Sequence, residues 1–191
     1  MRALASDFRA VACWLGAGVA LSALTACGAA GTRGPGSAQM PLLRLQPAAL
    51  GQELALQQRL TFTRQNGNDQ IDALLEVDAS QVRLLLHQAG QSALRLLWDG
   101  SALTETRADW LPAELSAERV LSDLQLTYWP PASIRASLPP DWTLQTDAAQ
   151  RALSYRGDLV VSIELLTPQR ARLTQHRYGY VLEINSVEVA P

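Results

Sequence analysis

The chain has no lysine. All 16 of its basic side chains are arginine, against 18 acidic ones, for a formal net charge of -2. No basic block stands out, and an acidic balance repels a phosphate backbone, so nucleic acid is not an expected partner. Histidine occurs twice, at His87 and His176, without HxxxH spacing or a nearby cysteine, so no zinc signature is present. Serines lie outside any GxSxG elbow, and neither GxxxxGK nor GxGxxG occurs, which leaves no hydrolase or phosphate-cradle motif. No enzyme and no cofactor is expected from these residues. Only two cysteines occur, Cys13 and Cys27, too few for a disulfide framework.

What is present begins with an amino-terminal signal. Arg2 and Arg9 precede an apolar run from Val11 to Leu24 that is too short for a persuasive membrane span and ends in small residues. Cys13 would leave with that peptide, so Cys27 has no intramolecular partner in an oxidising compartment. Leu24-Thr25-Ala26-Cys27 resembles a bacterial lipobox. The resemblance implies cleavage after residue 26, lipidation of Cys27, and contact with outer-membrane lipid, since Gly28 rather than aspartate follows the cysteine. Several acyl chains on one residue give lasting anchorage. Residues 27–40 are rich in Gly, Ala, Ser and Pro and read as a tether, leaving a single domain over 41–191 that faces the periplasm.

Alternation marks the start of that domain. After a turn or helical stub at Pro47 to Leu50, Leu54, Leu56, Leu60 and Phe62 share one face, an Asn66-Gly67 turn follows, and Ile71, Ala73, Leu75 and Val77 share the next. Val82, Leu84 and Leu86, then Leu94, Leu96 and Trp98, complete four strands of an antiparallel meander. The period then changes. Ser116 is placed to cap a helix whose apolar face is Val120, Leu121, Leu124 and Tyr128, and Pro130-Pro131 ends it. A second short helix is expected at Ala132 to Leu138. Strands resume at Trp142–Thr146, Arg151–Tyr155, Leu159–Leu166, Ala171–Arg177 and Tyr180–Val189. The expected architecture is mainly β: one strongly curved antiparallel sheet with a helical insertion.

The aromatic residues offer the best place to look for a ligand. Trp98, Trp110, Tyr128, Trp129 and Trp142 fall around the passage from sheet to helix, where they wall an apolar cavity or close the core. Leu111 follows Trp110 at a candidate rim. The acidic residues from Glu105 to Asp123 suit solvation and capping, and Arg156-Gly157-Asp158 suits a hairpin turn better than adhesion.

The lipobox, the opening strands, the segment from Leu111 to Trp129 and "SIRASLPPDW" together resemble the DUF3261 family of bacterial lipoproteins, over about Leu42 to Val189. That family looks like a relative of the outer-membrane lipoprotein receptor LolB. The wider resemblance implies an incomplete antiparallel β-barrel with short helices over its mouth, enclosing a cavity for acyl chains. It also implies a cargo, an acylated lipid or a lipoprotein, and a LolA-like periplasmic carrier as a further partner; the DUF3261 resemblance adds an aryl-polyene lipid as a cargo, through that family's association with pigment-lipid biosynthesis. The polar connections "RQNGND" and "VDASQ" depart from the exposed hydrophobic loop of the LolB pattern. Two functions are therefore expected to compete: binding and transfer of hydrophobic cargo, or a structural or assembly lipoprotein that presents its surface to envelope or pigment-lipid biosynthesis proteins.

Overall fold

The computed structural model describes residues 40–65, 67–111 and 115–189. The signal region, Cys27, the tether before Met40, Asn66, Pro112 and Glu114 lie outside the described residues. Ala38–Pro191 form one compact unit, and Met40, placed at the tether's end by composition, is buried in its core.

Period-two burial follows from alternating apolar residues, which put every second side chain on the core face. It produces β1 (Leu54–Arg64), β2 (Gly67–Val77), β3 (Val82–Gln88) and β4 (Gln91–Trp98). A fifth strand, β5 (Leu103–Arg107), was not expected: Thr104, Glu105 and Thr106 carry no alternation, because it is a short, polar edge strand. Helix α1 (Ala117–Tyr128) starts where Ser116 Oγ accepts from Arg119 N at 3.4 Å. Helix α2 (Pro131–Ser137) has proline in its first turn, where the missing donor matters least. The chain closes with β6 (Trp142–Thr146), β7 (Gln150–Tyr155), β8 (Asp158–Thr167), β9 (Arg170–Gln175) and β10 (Tyr180–Glu188).

The ten strands form one antiparallel sheet in the order β5-β4-β3-β2-β1-β10-β9-β8-β7-β6. Two meanders meet where β1 pairs with β10, Leu60 opposite Ile184. The helices join β5 to β6, the two ends of the sheet, so this connection must pass across a sheet face. That face is the core: Leu60, Leu75, Leu84, Leu173 and Leu182 from the strands meet Leu121 and Leu126 from α1. Among the described residues no helix is long and apolar enough to cross a membrane.

The sheet corrects the expected barrel. It is not closed: β5 and β6 stand at opposite ends of the strand order and do not pair. At β6, α2 occupies the edge, with Arg135 Nε donating to Leu144 O at 3.0 Å and Nη2 to Thr146 Oγ1 at 2.8 Å. At β5, the Glu105 carboxylate is turned to the start of α1, accepting from Ala117 N at 3.2 Å. The fold is a mixed one, a single antiparallel sheet with two helices, and the LolB-like assignment falls with the barrel. So does the outer-membrane transport role that rested on that likeness.

Helix α1 is buried on more than its apolar face, because the segment from Met40 to Gln46 runs along its other flank. Leu45 N donates to Gln125 Oε1 at 2.9 Å while Gln125 Nε2 donates to Leu45 O at 3.0 Å. Leu43 N donates to Ser122 Oγ at 3.2 Å. Two indoles complete the strap, Trp98 Nε1 on Leu45 O at 2.8 Å and Trp129 Nε1 on Gln46 O at 3.1 Å. Gln125→Leu would leave the buried Leu45 N–H without a partner, and we expect it to lower stability by about 1–3 kcal/mol in urea unfolding. A loss within about 0.5 kcal/mol, the range of a surface change, would show that the strap does not hold α1.

Candidate functional site

An apolar groove runs between α1 and the middle of the sheet. The strands supply Leu60 and Phe62 from β1, Leu84 and Leu86 from β3, and Leu182 and Ile184 from β10, all core-facing positions of their alternation. The helix supplies Val120, Leu124, Thr127 and Tyr128, with Leu115 just before it. Val120, Leu124 and Tyr128 are half-buried. The groove is narrow, with a cavity volume of about 50 Å³. That is room for a few water-sized groups, so a longer guest requires α1 to move.

Phe62 and Leu115 also line a neighbouring cavity of about 180 Å³, together with Trp110 and Leu111. Thr127 and Tyr128 in turn line a larger one of about 520 Å³ on the other side. Tyr128 stands between the groove and this second cavity, its hydroxyl accepting from Gln58 Nε2 at 2.6 Å and lying 3.4 Å from Ser186 Oγ.

The groove wall has one buried charge. Asp123 receives Gln175 Nε2 on Oδ1 at 2.8 Å and the Tyr180 hydroxyl on Oδ2 at 2.6 Å. Desolvation pushes its carboxyl up to about 6, partly offset by those two bonds and by the positive charge of Arg119. Burial, followed by the Asp123 charge, pushes the Tyr180 phenol upward as well. Gln175 Oε1 is buried without a partner, so a proton on Asp123 supplies a donor that an amide flip would let it accept. Arg119 is held above by Tyr178, its guanidinium 4.0 Å from the ring centroid and Nη2 donating to the hydroxyl at 2.9 Å. Both oxygens of Asp123 are thus engaged by the fold.

The expected aromatic set is dispersed. Tyr128 lines the groove. Trp98 and Trp129 are core residues tied to the Met40–Gln46 strap. Trp142 is buried against Tyr155, ring centroids 5.2 Å apart. Trp110 is 48% exposed, whereas its neighbour Leu111 is 4% exposed and therefore packed beneath the rim rather than presented on it. His87 and His176 lie on opposite halves of the sheet, on β3 and just after β9, and His176 Nε2 pairs with Ser162 Oγ at 2.9 Å. Among the described residues no group of three His, Cys, Asp or Glu side chains is placed to hold a metal. Sequence inspection missed the groove's strand wall, although the alternation of Leu60, Phe62, Leu84 and Leu86 was its signal. It also missed Asp123, which looked like part of a solvated acidic face.

The family model described as a protein of unknown function, DUF3261, matches residues 55–188, a span that contains all ten strands but for the first residue of β1. The chain belongs to the DUF3261 family. No curated protein matches it. Within this DUF3261 domain the groove walls from β1 to β10 all fall inside the matched span, whereas the Met40–Gln46 strap precedes it.

The raised carboxyl of Asp123 makes stability depend on pH. Its folded value, about 6, exceeds the ordinary value of 3.8, so the contribution is complete below about pH 4 and is lost as pH rises through 6. Urea unfolding should therefore show a loss on the order of 2–3 kcal/mol between pH 4.5 and 7.5. Asp78, held down to about 2 by Ser80 and Gln81, stays ionised across that range. Asp123→Asn should flatten the profile; an unchanged slope would mean that Asp123 is solvated in the folded state.

Proposed function

We propose that this DUF3261 protein is a lipid-anchored binding protein that holds the apolar chain of an acylated ligand between α1 and the sheet. The observation that carries this reading is the groove wall: six leucine, isoleucine or phenylalanine side chains from three strands face Val120 and Leu124 across a gap that α1 covers. Binding of this kind needs no nucleophile and no proton transfer. A chain that buries about eight methylenes gains about 6 kcal/mol, against which the displacement of α1 is set. The flank of α1 toward the strap is tied by Ser122 and Gln125, and its groove flank is held by apolar contacts, by the Tyr128 hydroxyl and by Asp123, which accepts from Gln175 and Tyr180. Admitting a chain therefore means moving the groove flank of α1 against the Asp123 bonds, while the strap holds its other edge.

Leu24-Thr25-Ala26-Cys27-Gly28 supports attachment through Cys27 to the outer membrane, with the domain in the periplasm. The cargo class is a linear apolar chain, as in an acylated lipid, an aryl-polyene lipid or the acyl group of another lipoprotein. Among the described residues the carboxylate of the groove, Asp123, has both oxygens engaged by Gln175 and Tyr180, and the role we propose is holding rather than converting that cargo.

The test uses the Ala38–Pro191 unit and the neutral dye Nile red. Saturable binding of one dye, displaced by dodecanol, is expected. Leu124→Trp, which fills the groove, should weaken binding at least tenfold at unchanged circular dichroism. Leu74→Trp, on the opposite face of the sheet where Leu74 is exposed, should leave it unchanged. Absence of saturable binding, or equal binding by both variants, would overturn the reading.

A further inference from the structure

The cavity of about 520 Å³ beyond Tyr128 differs from the groove in its chemistry. Arg151, Arg170, Thr167 and Ser186 line it, together with the Thr127 and Tyr128 that it shares with the groove. Among the described residues no carboxylate lines it, and neither Arg151 nor Arg170 enters an ion pair. Their neighbour Arg172 shows the contrast, with Glu183 at 2.7 Å and Glu164 at 3.9 Å.

Arg151 is a positioned cation. Its Nη1 donates to Leu126 O at 2.8 Å and to Trp129 O at 2.7 Å, fixing the guanidinium at the carboxyl end of α1. Those carbonyls and the helix dipole offset roughly half a unit of its charge. Desolvation acts in the opposite sense, lowering its pKa and making its buried charge costly. An anion beside it would restore the charge balance that the lining omits, and a guanidinium matches carboxylate or phosphate oxygens in a fork geometry. Arg170 adds a second full charge from the start of β9.

We infer that the ligand is an amphiphile whose apolar chain lies in the groove and whose anionic head sits against Arg151 and Arg170, with Tyr128 at the junction. This rests on the groove being an acyl site, and it adds the head-group chemistry: a carboxylate or phosphate carried on the chain. Because Thr127 and Tyr128 line both spaces, one molecule is able to occupy them together once α1 has moved.

The experiment separates the head from the chain. Displacement of Nile red from the Ala38–Pro191 unit is measured with dodecanoate, with dodecanol of the same chain length, and with inorganic phosphate. Dodecanoate is expected to bind at least tenfold more tightly than dodecanol, and phosphate alone at millimolar concentration to displace no dye. Arg170→Gln, at an exposed position, should reduce the preference to threefold or less without changing dodecanol affinity. Arg151→Lys keeps a cation but loses the fork, and should reduce the preference as well; because Arg151 also holds the end of α1, its folding is checked by circular dichroism. Equal affinity for the two amphiphiles, or a preference that survives Arg170→Gln, would overturn the head site while leaving the groove standing. Displacement by phosphate alone would make the site one for a free anion and overturn the amphiphile. Failure of both chain probes would overturn the groove itself, and this inference with it.

Discussion

The carboxamide of Gln125 fixes one flank of α1 against the Met40–Gln46 strap. Gln125 both accepts from Leu45 N and donates to Leu45 O, so that its side chain pairs with the strap much as a strand edge pairs with its neighbour. An extended segment laid inside a protein must satisfy each of its donors and acceptors, because every buried orphan costs about 1–3 kcal/mol. Gln125, Ser122 and the indoles of Trp98 and Trp129 meet that demand at Leu43 N, Leu45 N and O, and Gln46 O. With the strap satisfied, Leu43 and Leu45 enter the core, α1 is fixed along one flank, and its other flank is left to cover the sheet. The strap edge is tied through backbone groups and the groove edge mainly through apolar contacts and the Asp123 cluster, and this difference is what makes the helix a cover.

The strands were legible because burial on one face enforces alternation, and β6 was readable to its ends from Trp142 to Thr146. Ser116 and the proline pairs likewise marked the helix boundaries through capping and missing donors. The polar strand β5 was not legible, since an exposed edge leaves no period to read. Ser122 and Gln125 lie outside the apolar face read for that helix, yet both are fully buried, because their partners lie about 80 residues earlier in the chain. The barrel expectation failed for a related reason. Alternation shows which side chains face inward but not which strands lie beside each other, and Arg135 on the β6 edge reads in sequence as an ordinary surface charge. Aromatic composition misled in the same way: Trp98 and Trp129 owe their positions to hydrogen bonds with the strap, and only Tyr128 of the five lines the groove.

The groove and its neighbours form a graded path. Trp110 is exposed at one end, leucines and isoleucine line the middle, and Arg151 and Arg170 stand beyond Tyr128. Burial of Asp123 makes its charge costly at neutral pH, which is why its carboxyl is raised to about 6. Its partners Gln175 and Tyr180 come from β9 and β10, so the same cluster links the helix to the second half of the sheet.

The central claim is that an acyl chain lies beneath α1. Its most direct test is photolabelling of the Ala38–Pro191 unit with dodecanol bearing a diazirine in mid-chain, followed by peptide mapping of the adduct. The account predicts label on the inward residues Leu60, Leu84, Leu124 and Leu182, competed away by unlabelled dodecanol. Label confined to outward residues such as Leu74 and Leu97, or label that excess dodecanol fails to compete, would contradict it.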